Sequence, residues 1–225
     1  EEFTERKSKI IQELKKQGLD ALLIFRQESM YWLTGYDTMG FVFFQCLILT
    51  TKGDVVLLTR APDLRQAQNT SVIDDIRIWI DKDKSNPTNE LKNILLELGL
   101  EKSNLGVEYE AYGLTGRNAI KLNNSLKNFA TLHDKSELIS YFRTVKSPAE
   151  IVYVKKAAEL ADKALDEVCK IAKPGVSETK ILAEMQKVVF EGGGDYPANE
   201  FIVGSGHNAL LCRYQSEKRI LSNPD

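Results

Sequence analysis

Hydrophobic residues at the start of the chain recur at helical spacing and are then replaced by short, almost continuous apolar runs. Segment 4–17 carries its apolar residues on one face, which predicts an amphipathic helix that Thr4 caps and Gly18 ends. The run 19–25 is apolar at most positions and predicts a strand buried on both faces, which is typical of a parallel strand. The aromatic-rich segment 30–36 is predicted to form a turn.

Strand-like and helical patterns then alternate up to His133. This alternation predicts an α/β layer with a mixed sheet, and residues 51–53 have the composition of a hairpin turn that would supply its antiparallel part. Asn86 followed by Pro87 is typical of a helix start. Gln45 interrupts an apolar run, and a buried amide at this position needs hydrogen-bond partners. The predicted strands span 41–50, 54–59, 76–80, 105–108 and 131–133, and the predicted helices begin at Asp63, Asn86 and Thr115.

A second domain is predicted to start near residue 145, which divides the chain into domains 1–144 and 145–225. Ser147, Pro148 and Glu150 form the signature of a capping box at the start of a long helix, and Ser177 starts another helix. Two glycine clusters follow in segment 192–209, and glycine lets the backbone approach a ligand closely. The apolar run 201–203 between those clusters predicts a buried strand.

Composition excludes several classes of protein. The chain has 225 residues, 43% hydrophobic and 28% charged, and a net charge of −2 with interspersed signs, which argues against a nucleic-acid-binding surface. No apolar run approaches a membrane span, and the charged N-terminus resembles no signal peptide, so we expect a cytoplasmic protein. Cys46, Cys169 and Cys212 lack metal-binding or disulfide spacing, and two histidines are too few for a multi-histidine metal site.

Several motifs occur in an order that resembles a known superfamily. Segment 32–36, W-L-T-G-Y, resembles the Y-L-T-G-[YF] turn of a creatinase-type N-terminal domain. Segment 145–151 resembles the K-[ST]-x-x-E-[IL] signature that opens the catalytic domain, 173–178 resembles its first helix–helix turn, and 201–209 resembles its first core strand with the S-G-x-N loop. Together these motifs resemble the creatinase, prolidase and aminopeptidase P superfamily of M24-type metallopeptidases. Segment 194–198 also looks like its ectoine-hydrolase-like members.

The resemblance implies an α/β creatinase-like N-terminal domain followed by the first part of an α+β catalytic domain with the "pita-bread" fold. It implies a hydrolase with two divalent metal ions (Mn, Zn, Co or Fe) held by Asp, Asp, His, Glu and Glu. Those ligands would lie after Asp225, which matches a family Asp that is not itself a ligand, so no metal ligand is named and these residues alone are not expected to bind the metals. A homodimer is also implied, acting on a short peptide or another small molecule.

The candidate site residues come from this placement. Where related enzymes carry a proton-shuttling His, this chain has Arg213, which cannot exchange a proton near neutral pH but can bind a carboxylate. We therefore expect a small anionic substrate. His207 and Glu200 are candidates for acid–base catalysis, the alternatives being a solvated turn histidine and a surface carboxylate or partner of Arg213. The candidate substrate contacts are Arg213, Tyr196, Asn208 and Tyr36.

Three functional classes stay open at this point. The first is a metal-dependent hydrolase of C–N bonds, either an Xaa-Pro-type peptidase or an amidohydrolase of the creatinase and ectoine-hydrolase kind. The second is a related lyase that acts on a small metabolite. The third is a non-catalytic protein that uses the pita-bread fold for binding, and the presence or loss of the five metal ligands would distinguish it from an enzyme.

Overall fold

The computed structural model describes residues 1–214, 216 and 218–223, which divide into two units, Glu1–Val145 and Lys146–Asp225. The first unit is built on a six-stranded mixed sheet with strand order β4-β3-β2-β1-β5-β6. The hairpin β2–β3 and the pair β1–β2 are antiparallel, and the other neighbours are parallel. The strands are β1 (Ala21–Ile24), β2 (Cys46–Thr50), β3 (Val55–Arg60), β4 (Asp75–Trp79), β5 (Asn104–Val107) and β6 (Thr131–Asp134). The predicted mixed sheet is confirmed.

Helices cover both faces of this sheet, because alternate strand residues point to opposite sides. Leu23 belongs to the hydrophobic core that contains residues of α4 and α5, whereas Leu22 and Ile24 belong to the core that contains residues of α1, α2, α3 and α6. All residues of β1 are fully buried, as the apolar run predicts. The helices are α1 (Glu2–Lys16), α2 (Gln27–Thr34), α3 (Leu64–Thr70), α4 (Pro87–Glu97), α5 (Gly116–Leu126) and α6 (Leu138–Arg143).

Several local features of the first unit differ from the sequence predictions. Helix α1 begins at Glu2, so Thr4 lies inside the helix and does not cap it. Most of segment 30–36 lies in α2, which ends where Gly35 takes a left-handed conformation (φ 76°). Segment 41–44 does not pair as a strand. Gly40–Val42 form a short 3-10 helix, and the carbonyl oxygens of Phe41 and Phe43 lie close to Gly113, where an added Cβ would be 2.7 and 2.8 Å from them. The short helix α6 had no capping signal in the sequence and was not predicted.

The second unit begins with two helices that pack against each other, α7 (Pro148–Ile171) and α8 (Glu178–Glu191). The predicted capping box is confirmed, because the Ser147 hydroxyl accepts from the Glu150 N–H (3.1 Å) and the Glu150 carboxylate accepts from the Ser147 N–H (2.7 Å). None of the described helices, including the 24-residue α7, has the length and apolar character that crossing a bilayer requires.

Segment 201–203 is not the buried strand that its apolar sequence predicts. Ile202 is 49% exposed, and the Val203 N–H and C=O both bond to the Ser216 hydroxyl (3.0 and 2.7 Å). A strand needs a neighbouring strand to pair its backbone groups, and among the described residues of this unit the one bridge joins Ser177 to Ile220. The segment is therefore irregular.

Candidate functional site

The predicted site residues of the second unit lie on segment 196–213 in different environments. Glu200, His207 and Arg213 are exposed, and no described residue forms a hydrogen bond or ion pair with any of their side chains. The alternative in which Glu200 pairs with Arg213 is therefore not observed. Tyr196 is 76% exposed and packs edge-on against Phe190, with ring centroids 5.1 Å apart. These four side chains are open to a ligand but are not held in one constellation.

Asn208, by contrast, belongs to a partly buried hydrogen-bond network centred on the buried Glu178. The Glu178 side chain is fully buried, and its Oε1 accepts from both the N–H (2.8 Å) and the hydroxyl (2.7 Å) of Ser205. Its Oε2 accepts from the Tyr214 hydroxyl (2.9 Å), whose oxygen in turn accepts from Asn208 Nδ2 (3.0 Å). Glu178 thus holds the S-G-x-N loop from both ends.

Local sequence and neighbouring backbone keep this network in place. Ser177 caps α8 by accepting from the Lys180 N–H, so Glu178 enters the first turn, where the helix dipole favours a negative charge. The Glu178 N–H donates to the Arg219 carbonyl (3.0 Å), and the Arg219 guanidinium bonds the Ser205 hydroxyl. Gly204 makes the tight approach possible, since an added Cβ would lie 2.7 Å from the Asn208 carbonyl oxygen.

Glu178 is the functional candidate that the sequence did not reveal. Its signals in the sequence are its place at the end of the 173–178 motif and its position directly after the capping Ser177, where a glutamate is usually a surface residue that stabilises the helix dipole. Its partners Ser205 and Tyr214 are 27 and 36 positions away, so neither spacing nor periodicity connects them to it.

Tyr36 lies in the interior of the first unit. Its side chain is fully buried, and its hydroxyl donates to Gln45 Oε1 (3.1 Å) and lies 3.5 Å from the Thr59 hydroxyl. Gln45 Nε2 donates to Gln27 Oε1 (3.1 Å), which confirms that the buried amide has partners. Burial raises the pKa of Tyr36. The side chain joins α2 to β3, and its predicted substrate contact stays a prediction.

A second buried carboxyl group lies where β5 ends. Glu108 is fully buried and accepts from the N–H groups of Phe25 (3.2 Å) and Arg26 (3.0 Å) and from the Ser29 hydroxyl (2.7 Å). Burial raises the pKa of Glu108 to about 7. The three hydrogen bonds and the positive charge of Arg26 act in the opposite direction and lower the pKa. Glu108 therefore ties the start of α2 to the end of β5.

The fold and these motifs can be compared with known proteins. Residues 6–145 match the family model of the Creatinase/Prolidase N-terminal domain, and residues 153–225 match Metallopeptidase family M24. The chain belongs to the creatinase/prolidase family. The predicted fold class is thereby confirmed as a creatinase N-terminal domain followed by the start of an M24 domain.

The family members that resemble this chain include enzymes of two kinds. The ectoine hydrolase of Halomonas elongata is 28% identical over 225 residues, covering 93% of this chain and 56% of that protein. The Xaa-Pro dipeptidase of Pyrococcus horikoshii is 26% identical over 229 residues, covering 97% of this chain and 57% of that protein. The solved prolidase of Thermococcus sibiricus superposes with a TM-score of 0.81 at 22% identity, covering 99% of this chain and 59% of that one. The chain thus spans slightly more than half the length of these relatives.

The M24 family implies a site for two metal ions, and the described side chains show whether this chain supplies ligands for it. Among residues 1–214, 216 and 218–223, no group of three or more His, Cys, Asp or Glu side chains is arranged to hold a metal ion. Asp225, which the resemblance aligns beside the first metal-binding strand, lies outside the described residues. Cys46 is buried, and burial raises its thiol pKa well above the ordinary value. The described side chains do not fit the metal pair, and we assign it no step.

Proposed function

We propose that a polypeptide containing this sequence together with the remaining M24 region is a metal-dependent hydrolase of C–N bonds. The observation that carries the proposal is the match of both parts of the chain, residues 6–145 and 153–225, to successive domains of one enzyme family. The similarity to an ectoine hydrolase and to an Xaa-Pro dipeptidase supports the reaction class. A dipeptidase hydrolyses the C–N bond of a peptide, and the proposed substrate is either a compatible-solute amide or a short peptide.

The proposed substrate is small and anionic. Arg213 supports this choice, because its guanidinium is exposed and no described carboxylate forms an ion pair with it. A guanidinium binds a carboxylate through two parallel N–H···O bonds, and it stays protonated near neutral pH. In this proposal Arg213, Asn208 and Tyr196 bind the substrate, whereas His207 and Glu200 exchange protons with it.

The rest of the proposal concerns ions, domains and assembly. Two divalent ions are proposed to be held by ligands in the portion of the M24 domain that the relatives possess beyond this match, so metal analysis of the longer form tests their stoichiometry. The domain division at residues 144 and 145 can be tested by limited proteolysis. We further propose a homodimer in the cytoplasm, and light scattering measures the mass of the assembly.

The deciding experiment measures hydrolysis of ectoine and of an Xaa-Pro dipeptide by the longer, metal-loaded form. Both substrates carry a carboxylate, so Arg213→Lys should raise KM about tenfold or more, because lysine cannot form the bidentate contact. The exposed Arg117 provides a matched control, and Arg117→Lys should leave KM unchanged. Absence of hydrolysis of both substrates would contradict the proposed function, and an unchanged KM in Arg213→Lys would contradict the role of this residue.

A further inference from the structure

The hydrogen bonds around Tyr214 have a fixed direction that begins at Glu178. A carboxylate only accepts hydrogen bonds, and the Glu178 oxygens receive the Ser205 N–H, the Ser205 hydroxyl and the Tyr214 hydroxyl. The single hydroxyl hydrogen of Tyr214 is therefore directed to Glu178. Its oxygen is left to accept a hydrogen bond from another group.

This direction determines how the Asn208 amide is turned. The atom of Asn208 that lies 3.0 Å from the Tyr214 oxygen must be a donor, so it is Nδ2 and not Oδ1. The two ends of an amide are normally assigned from such networks, and with Glu178 ionised the network requires this assignment. The other polar atom of the amide, Asn208 Oδ1, therefore points away from Tyr214, and no described residue donates a hydrogen bond to it.

We propose that Glu178 is a positioning residue that, through Tyr214, fixes the Asn208 amide so that its Oδ1 accepts a hydrogen bond from an N–H or O–H group of the bound substrate. This inference rests on the proposed function and adds a chemical requirement to it. With Arg213 on the same segment, the substrate carries both a carboxylate and a hydrogen-bond donor. An amino-acid derivative with an N–H group has this chemistry.

The isosteric change Glu178→Gln tests the direction without changing the size of the side chain. The Gln oxygen must face Ser205, because an NH2 group there would oppose the Ser205 N–H donor. The new NH2 group then faces Tyr214, whose oxygen must accept from it. The Tyr214 hydroxyl is released to donate to Asn208, and the amide turns so that Nδ2 replaces Oδ1 as the group available to substrate.

Nuclear magnetic resonance of this chain measures the amide directly. The side-chain NH2 of Asn208 should exchange with solvent about tenfold more slowly than that of the exposed Asn199, because one of its hydrogens is bonded. This protection should disappear in Glu178→Gln. Tyr214→Phe should also abolish it while leaving the Ser205 N–H resonance unchanged, so a misfolded Glu178→Gln does not prevent the test.

The exchange measurement needs a control variant and has one result that would overturn the proposal. Glu191→Gln, at an exposed position of the same helix, is the control and should leave the protection of Asn208 intact. Protection retained in both Glu178→Gln and Tyr214→Phe would overturn the relay. Because no substrate is involved, this result is independent of whether the protein hydrolyses anything.

The second readout is substrate preference in the longer hydrolase. The wild type should favour a substrate with a free N–H over its N-methylated counterpart by about tenfold in kcat/KM, the effect of one hydrogen bond. Glu178→Gln should lose this preference, and the control Glu191→Gln should keep it. An unaltered preference in Glu178→Gln would overturn the proposal, whereas a wild type that hydrolyses neither compound contradicts the proposed function and leaves the exchange measurement to judge Glu178.

Discussion

Replacing Glu108 by Gln should flatten the pH dependence of the stability of the first unit. The Glu108 carboxyl is fully buried and its pKa is raised by burial, from its ordinary value of 4.5 to about 7. The folded protein therefore holds this proton more tightly than the unfolded chain does. Stability is highest when the group is protonated in both states, falls as the pH rises from about 4.5 to about 7, and is constant above that range.

The magnitude follows from the two pKa values. The difference between 4.5 and about 7 corresponds to roughly 3 kcal/mol, most of which is lost between pH 5 and pH 8. The charged group that faces Glu108 most directly is Arg26, whose backbone N–H also donates a hydrogen bond to the Glu108 carboxyl. The positive charge of Arg26 opposes the rise of the Glu108 pKa, and the value of about 7 already includes this effect. Cys46 is also close, but burial and the Glu108 charge hold its thiol pKa well above the ordinary value, so it stays protonated throughout.

The Gln variant keeps the shape and most of the bonds. Its carbonyl oxygen can accept from the Phe25 and Arg26 N–H groups, and its NH2 group can donate to the Ser29 hydroxyl. It cannot ionise, so the contribution of position 108 to the pH dependence vanishes. The other titrating groups remain in both proteins, and the difference between the two curves isolates Glu108.

Urea unfolding followed by tryptophan fluorescence provides the assay. The chain has two tryptophans, Trp32 and Trp79, and both are buried in the first unit, so the signal reports on that unit alone. Between pH 5 and pH 8 the wild type should lose roughly 2–3 kcal/mol more than Glu108→Gln. Glu101→Gln, at an exposed position of the same unit, should behave like the wild type. Parallel curves for the wild type and Glu108→Gln would refute the reasoning.

Two further substitutions test single hydrogen bonds in the two units. Tyr36→Phe leaves a buried Gln45 oxygen with one donor fewer and should lower the free energy of unfolding by about 1 kcal/mol in the same fluorescence assay, whereas Tyr31→Phe, at an exposed position, should have no effect. Ser147→Ala removes the capping box of α7 and should cost about 1 kcal/mol, measured by far-ultraviolet circular dichroism. An unchanged stability in either variant would contradict the corresponding bond.

Local signals in the sequence predicted most of the fold, because they depend on neighbouring residues. The cap at Asn86 and the capping box at Ser147 are both formed as predicted, and each involves residues within three positions. The predictions failed where a distant part of the chain decides the conformation. Segment 41–44 packs against the loop at Gly113, and segment 201–203 has no strand beside it among the described residues.

The candidate site was predicted less completely for the same physical reason. The motif identified the S-G-x-N loop and Asn208, but the group that orients them is a glutamate 27 positions before the loop. Arg213, His207 and Glu200 were found from residue type and family position, and the structure shows them exposed without fixing their mutual geometry.

Glu108 and Glu178 show why such carboxylates escape sequence analysis yet respond strongly to substitution. Glu178 lies at the start of α8 and Glu108 follows the end of β5, and each accepts from backbone N–H groups of a distant segment, at Ser205 for Glu178 and at Phe25 and Arg26 for Glu108. A backbone donor is present whatever the side chain, so the sequence of the partner segment contains no trace of the contact, and mutating that partner does not remove the donor. In these backbone contacts the carboxylate is the member that an isosteric substitution can change. Exchanging these two carboxylates for amides therefore separates charge and hydrogen-bond direction from packing, because the size of the side chain is kept.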